Sequence, residues 1–258
     1  MSIKTVLSFA GLDPSGGAGI QADIETVAAL GGHALPIITC NTIQNTQSFL
    51  ESHTIKPNWI DRQTEHLLKD ITPDSIKIGL LTSSTTVDII KKYIPENIPV
   101  VIDPVLRSGS GSDLSNEELI QSVKKNLLPR TTIITPNNFE ARTLTGYESL
   151  DQAAAKLIDY GCRFVLITGA DEAENNVENH LYGQQGLIEV YHYKKLSATY
   201  HGSGCTLSAA IAILLAQGLE VETAIRKAQD FTWKALLEGR HIGKGQKHPA
   251  RKAQPLTL

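Results

Sequence analysis

Short β-rich runs alternate with amphipathic stretches along most of this chain. Thr5 to Ala10, Ala34 to Cys40, Ser75 to Ile78, Val100 to Ile102, Thr132 to Ile134 and Phe164 to Thr168 have the length and apolar content of buried strands. Between them, apolar positions at helical spacing predict helices over Ala18 to Leu30, Asn58 to Lys69, Thr85 to Ile94, Asn116 to Leu127, from about Asn138, and over Leu150 to Tyr160. Strands apolar on both faces and separated by helices predict an α/β fold, with a mostly parallel sheet covered on each side. The stretch Asn179 to Tyr193 breaks the alternation and reads as two strands joined by Tyr-Gly-Gln-Gln-Gly, ahead of helices over Gly204 to Gln217 and Val221 to Leu237. From Gly239 onward the chain turns basic and carries Gly and Pro, which predicts a loosely docked tail.

Composition narrows the function classes. The 258 residues are 41% hydrophobic and 20% charged, enough for a large core, and one domain over residues 1–258 is expected. A formal charge of -3, with no basic run interleaved with aromatics, argues against nucleic acid as a partner. No signal-like apolar core opens the chain and no apolar run reaches the roughly 18 residues that span a bilayer, so a cytoplasmic protein without a membrane partner is expected. The three cysteines, Cys40, Cys162 and Cys205, are widely spaced and odd in number, which fits neither a disulfide framework nor a thiolate metal site.

In a parallel sheet, ligands collect beyond the carboxyl ends of the strands, so the polar segments following strands carry the candidate chemistry. Gly202-Ser203-Gly204-Cys205 opens an apolar helix, where backbone NH groups and the helix dipole would hold an anion and favour a thiolate at Cys205. Gly11 to Gly19 follows the first strand and leads into a helix carrying Asp23. Its Gly17-Ala18-Gly19 is no dinucleotide fingerprint, because Asp13 to Gly16 intervene and no acid lies about 20 positions on. No phosphate-loop motif with Gly-Lys-Ser/Thr occurs either. Asn41 to Thr46 forms a polar cluster in which the Gln44 amide offers donor and acceptor side by side, matching an aminopyrimidine edge, while Asp23 could accept from an exocyclic amine. Asp103 and Glu140 each follow a strand and suit Mg2+, and Arg107 opens the Gly/Ser loop to Gly111, suited to covering phosphates. Each feature also has a plain structural explanation as a turn, cap or linker. Together they favour ATP-dependent phosphoryl transfer to a small molecule.

The segments Asp13 to Asp23, Gln44-Asn45-Thr46, Asp103-Pro104-Val105, Thr135-Pro136-Asn137 with Glu140, and His201 to Leu207 resemble the hydroxymethylpyrimidine/phosphomethylpyrimidine kinases of thiamine biosynthesis, in the ribokinase-like superfamily. The resemblance implies a three-layer α/β/α sandwich, a homodimer, and successive formation of the pyrimidine monophosphate and diphosphate. It implies that Asp23, Gln44, Gly11, Ala18 and Leu80 hold the pyrimidine and that Gly202, Ser203, Gly204 and Cys205 form the anion hole, with Cys205 as base. Mg-ATP would fall to Asp103, Arg107, Asn137, Glu140, Thr168 and Gly169, with Asp103 and Glu140 nearest the metal. Thr168 stands where many relatives carry lysine, Asp171 where histidine is usual and Leu80 where methionine is common; Gly239 to Gly243 blurs the usual C-terminal pattern. Arg107 would then supply the missing phosphate-side cation. A pyridoxal kinase is the rival within the class, and an inert pyrimidine sensor the rival outside it.

Overall fold

The computed structural model describes residues 3–107, 114–171 and 176–252. Nine strands form one sheet in the order β3-β2-β1-β4-β5-β6-β7-β8-β9. In chain order these are β1 (Thr5–Leu12), β2 (His33–Gln44), β3 (Phe49–Thr54), β4 (Ser75–Ile78), β5 (Val100–Ile102), β6 (Ile133–Ile134), β7 (Phe164–Asp171), β8 (Asn176–Gly183) and β9 (Gly186–Lys194). Strands β2, β1, β4, β5, β6 and β7 run parallel through the middle, whereas β3, β8 and β9 pair antiparallel at the edges.

Alternation along the central strands sends side chains to two apolar cores. Leu7 and Phe9 of β1, Ile76 and Ile78 of β4, and Val165 and Ile167 of β7 enter the core covered by α2 (Pro57–Leu68), α3 (Ser84–Lys92), α4 (Glu117–Asn126), α5 (Asn138–Thr145) and α6 (Leu150–Asp159). Val6, Val101, Ile133 and Leu166 point the other way, toward α1 (Gly19–Ala29), α7 (Ser203–Ala216) and α8 (Val221–Leu237). Helix α7 is buried from Thr206 to Ala216, as expected of a helix apolar all round, and this central position fixes where its N-terminus meets the sheet. The α/β/α layers anticipated from the alternation are present.

Two elements depart from the sequence reading. The polar cluster after Cys40 is not a loop: β2 continues to Gln44 and returns as β3, with Cys40 opposite Thr54 and Gln44 opposite Phe49. Its alternation is inverted, Thr42 being buried and Ile43 exposed, which hides the strand from a search for apolar inward positions. The tail is also firmly docked. Arg240 pairs with His248 and Tyr200 with Lys247, while Gln246 N–H donates to Thr46 O at 2.8 Å, placing Gly239 to Lys252 across the carboxyl end of the sheet.

Candidate active site

Two glycines let the strand ends close together. Gly19 has φ +59°, and a Cβ there would lie 2.2 Å from Gly11 O; Gly202 has φ +84°, and a Cβ would lie 1.9 Å from Gly17 O. A side chain at Gly19 would push the start of α1 off the end of β1, and one at Gly202 would push α7 off the loop after β1. Between these loops and the ends of β2, β5, β6 and β7 lies a cavity of about 280 Å³. Gly202, Ser203, Gly204 and Cys205 line one side, and Gly11, Ala18, Gln44 and Leu80 another. Asp103, Arg107, Asn137, Glu140 and Thr168 complete it, so residues from seven segments far apart in sequence converge on one cavity.

Asp23 and Gly169 are exceptions. Asp23 is fully buried beneath the cavity, accepting from Ser8 Oγ at 2.5 Å, with Lys77 Nζ 3.0 Å from its carboxylate. It does not line the cavity, so the expected contact with a ring amine is not available to it. Gly169 donates its N–H to Asn179 Oδ1 at 2.9 Å and likewise lies off the cavity. The loop Ser108 to Gly111 lies outside the described residues, but Arg107 itself stacks over the Phe139 ring at 3.5 Å.

Gln44 has a defined polarity. Thr42 Oγ1 donates to Leu12 O at 2.8 Å and therefore accepts from Gln44 Nε2 at 2.9 Å, which leaves Oε1 and the second N–H of the Gln44 amide for a ligand in the cavity that this residue lines.

Asp13 and His201 were not singled out from sequence as a pair, yet they join the two glycine loops. Asp13 accepts from His201 Nε2 at 2.9 Å, Ser15 Oγ at 2.9 Å, and the N–H groups of Ser15 and Ala18 at 2.8 Å each. Burial opposes its charge, but these donors outweigh it and lower its pKa to about 2. The two residues are 188 positions apart, so only the fold brings them together.

The electrostatics of Cys205 reverse the expectation. Burial pushes its thiol up to about 12, with Lys77 opposing and Asp103 reinforcing the rise, and the N–H of Gly19 hydrogen-bonds to it. The helix terminus does not overcome desolvation, and Cys205 rests as a thiol. Asp103, hydrogen-bonded to Cys205 and Ser208, is raised by burial, while Lys77 opposes the rise. Glu140 is raised to about 8 by burial and then by the charge of Asp103.

Glu140 also completes a capping box with Asn137 at the start of α5, so its plain structural role is real. Among the described residues no group of three His, Cys, Asp or Glu could hold a metal ion. A cation bound through two carboxylates, waters and phosphates needs no such group, and two buried acids, one of which raises the other, fit a divalent ion beside them.

Pyridoxal kinases are among the solved structures similar to this fold. The pyridoxal kinase from Staphylococcus aureus in complex with pyridoxal superposes with a TM-score of 0.89 at 28% identity, covering 100% of this chain and 96% of that one. Its complex with AMP-PCP gives 0.89 at 27% identity, with the same coverage. Fold and site thus define a kinase of the ribokinase-like superfamily. The family model described as phosphomethylpyrimidine kinase matches residues 13–250. A hydroxymethylpyrimidine/phosphomethylpyrimidine kinase from Synechococcus elongatus is 38% identical over 254 residues, 95% of this chain and 96% of its own length. The chain belongs to the phosphomethylpyrimidine kinase family.

Proposed function

We propose that this protein uses ATP to phosphorylate 4-amino-5-hydroxymethyl-2-methylpyrimidine at its hydroxymethyl oxygen, and then the phosphate so formed, in thiamine biosynthesis. The observation that carries the reading is the fixed polarity of Gln44 opposite an anion hole: Oε1 accepts from the 4-amino group while the hydroxymethyl arm reaches Gly202 to Cys205. Gly11, Ala18 and Leu80 would bound the ring. Gln44 takes the amine role that Asp23, in its ion pair, cannot fill.

Phosphoryl transfer needs positioning and neutralisation of charge more than covalent help. The NH groups of Gly202 to Cys205 would hold the moving phosphoryl group, and Arg107, Asn137 and Thr168 would contact the nucleotide phosphates. Asp103 and Glu140 would hold Mg2+, which supplies charge neutralisation on those phosphates. Cys205, as a thiol, would complete the anion hole rather than remove the hydroxymethyl proton. The same reading places the activity in one cytosolic domain that forms a homodimer, supported by Ile43 and Leu50 projecting into solvent from the β2–β3 hairpin.

Pyridoxal is the second substrate to test, because the structural neighbours include pyridoxal kinases. It lacks the amine that an acceptor at Gln44 favours. The purified protein should form ADP and product with hydroxymethylpyrimidine and with its monophosphate, and turn over pyridoxal more slowly. Faster turnover of pyridoxal, or none with either pyrimidine, would overturn the reading.

A further inference from the structure

On the central strand β4, Lys77 stands between Ser8 of β1 and Val101 of β5, on the sheet face that packs against α1 and α7. It is fully buried, and its Nζ lies 3.0 Å from each oxygen of the Asp23 carboxylate. Ser8 Oγ donates to the same carboxylate at 2.5 Å. Replacing a buried ion pair with apolar residues of similar volume is often neutral or stabilising, so stability alone does not account for a charged lysine in this core.

The surroundings give the pair a direction. The lysine stem runs along β4 toward the carboxyl end of the sheet. A Cβ at Gly79 would lie 2.5 Å from Nζ, so the absence of a side chain there leaves the room that the ammonium fills. Asp103 follows β5 beside it, its N–H donating to Ile78 O at 2.8 Å, and its carboxylate is hydrogen-bonded to Cys205 in the first turn of α7. Of the two ends of the pair, Lys77 acts more strongly than Asp23 on both Asp103 and Cys205. The positive end is therefore the one nearer the floor of the anion hole.

We propose that Lys77 is a positioning residue for phosphoryl transfer, an interior cation that stabilises the negative charge gathering in the anion hole of Gly202 to Cys205. Lys77 does not line the cavity, so it acts through the first turn of α7 and not by contact with substrate. The inference rests on the kinase reading and adds to it a charge held inside the protein. In the transfer, the bond from the γ-phosphorus to its bridging oxygen breaks, a bond to the acceptor oxygen forms, and ADP leaves; from the alcohol, the hydroxyl proton passes to solvent. Negative charge is spread over the oxygens of the moving group, and a fixed cation in a water-excluded interior needs no reorganisation as that group arrives.

ADP with aluminium fluoride and Mg2+ mimics the moving phosphoryl group, so its affinity reads the anion hole separately from the rate. Lys77→Met with Asp23→Leu removes the pair and leaves neither charge buried alone. This double variant should bind the fluoride complex roughly 10- to 100-fold more weakly than wild type and lose kcat by a similar factor on the alcohol and on its monophosphate, with KM for the pyrimidine within about twofold. The single variants separate charge from packing, since each breaks the same pair. Lys77→Met should weaken the fluoride complex, whereas Asp23→Asn, which removes only the negative end, should bind it no more weakly than wild type.

Weaker fluoride binding in both single variants, or a folded double variant with wild-type kcat and fluoride affinity, would overturn the inference. Where a single variant does not fold, the double variant alone decides. A wild-type protein that turns over pyridoxal and neither pyrimidine would overturn the substrate assignment, and the same comparison with pyridoxal as acceptor would still test Lys77.

Discussion

The side chain of Gln44 can accept through Oε1, because the bond from its NH2 group to Thr42 fixes which end of the amide is which. Gln44→Ala should raise KM for hydroxymethylpyrimidine roughly 5- to 30-fold, about 1–2 kcal/mol, and leave KM for ATP within twofold. Parallel rises in both constants would remove Gln44 from ring recognition. Cys205 calls for a different comparison, since its thiol is held up to about 12. A thiolate base would make Cys205→Ser slow the first phosphorylation by about 100-fold and spare the second, whose acceptor is already anionic. A thiol that shapes the anion hole predicts similar losses, under about tenfold, on both steps. Rates on the alcohol and on its monophosphate, measured separately, decide between the two.

At the scale of elements, the loops after β1 and before α7 are joined by Asp13 and His201. The carboxyl of Asp13 falls from an ordinary 3.8 to about 2 in the folded protein, so its contribution is fully present above about pH 4 and is lost as pH falls through 2. Asp13→Asn should therefore cost about 2 kcal/mol at neutral pH by urea unfolding, with the gap to wild type closing as the pH approaches 2. An acid-independent gap would mean that shape rather than charge matters at Asp13.

Beneath the same loops, Lys77 of β4 and Asp23 of α1 form an ion pair with side chains 0% and 1% exposed. Burial disfavours the lysine charge, but Asp23 and its neighbours hold it above the ordinary lysine value. Lys77→Met alone should destabilise by about 3–5 kcal/mol, because it leaves a buried carboxylate unpaired, whereas Lys77→Met with Asp23→Leu should recover most of the loss. Chemical denaturation of the three proteins checks this, and additive losses would show that the two charges do not act as a pair.

Across the whole molecule, the tail binds the site together. The Arg251 side chain is 1% exposed, donates to Thr206 Oγ1 at 2.9 Å, to Glu25 Oε2 at 3.0 Å and to Gly17 O, and so ties the β1 loop to the first turn of α7. Gly245 and Gln246 meanwhile bind Thr46 at the hairpin that carries Gln44. Arg251→Ala should lower stability by about 2–4 kcal/mol and, well below its unfolding temperature, reduce kcat on both acceptors. Unaltered kcat in a folded variant would make the tail a structural cover only. The alternation of strands and helices and the two glycine loops were legible in the sequence, because period, turn chemistry and the rule of strand carboxyl ends are local or topological, whereas Gly11, Ala18, Leu80, Asn137 and Thr168 of the cavity lining were legible only through the family resemblance. Asp23 was misplaced because a carboxylate one turn inside a helix can face a ligand or a buried lysine, and only packing against β4 chose the lysine. The thiol of Cys205 was misjudged for a related reason: the helix dipole is written in the sequence, but desolvation depends on every segment that closes over the site. What the sequence by itself determined is the family, the layers and the residues that surround the cavity. Tertiary structure alone decided which of their polar atoms remain free to meet a ligand, since that depends on partners up to 234 positions away.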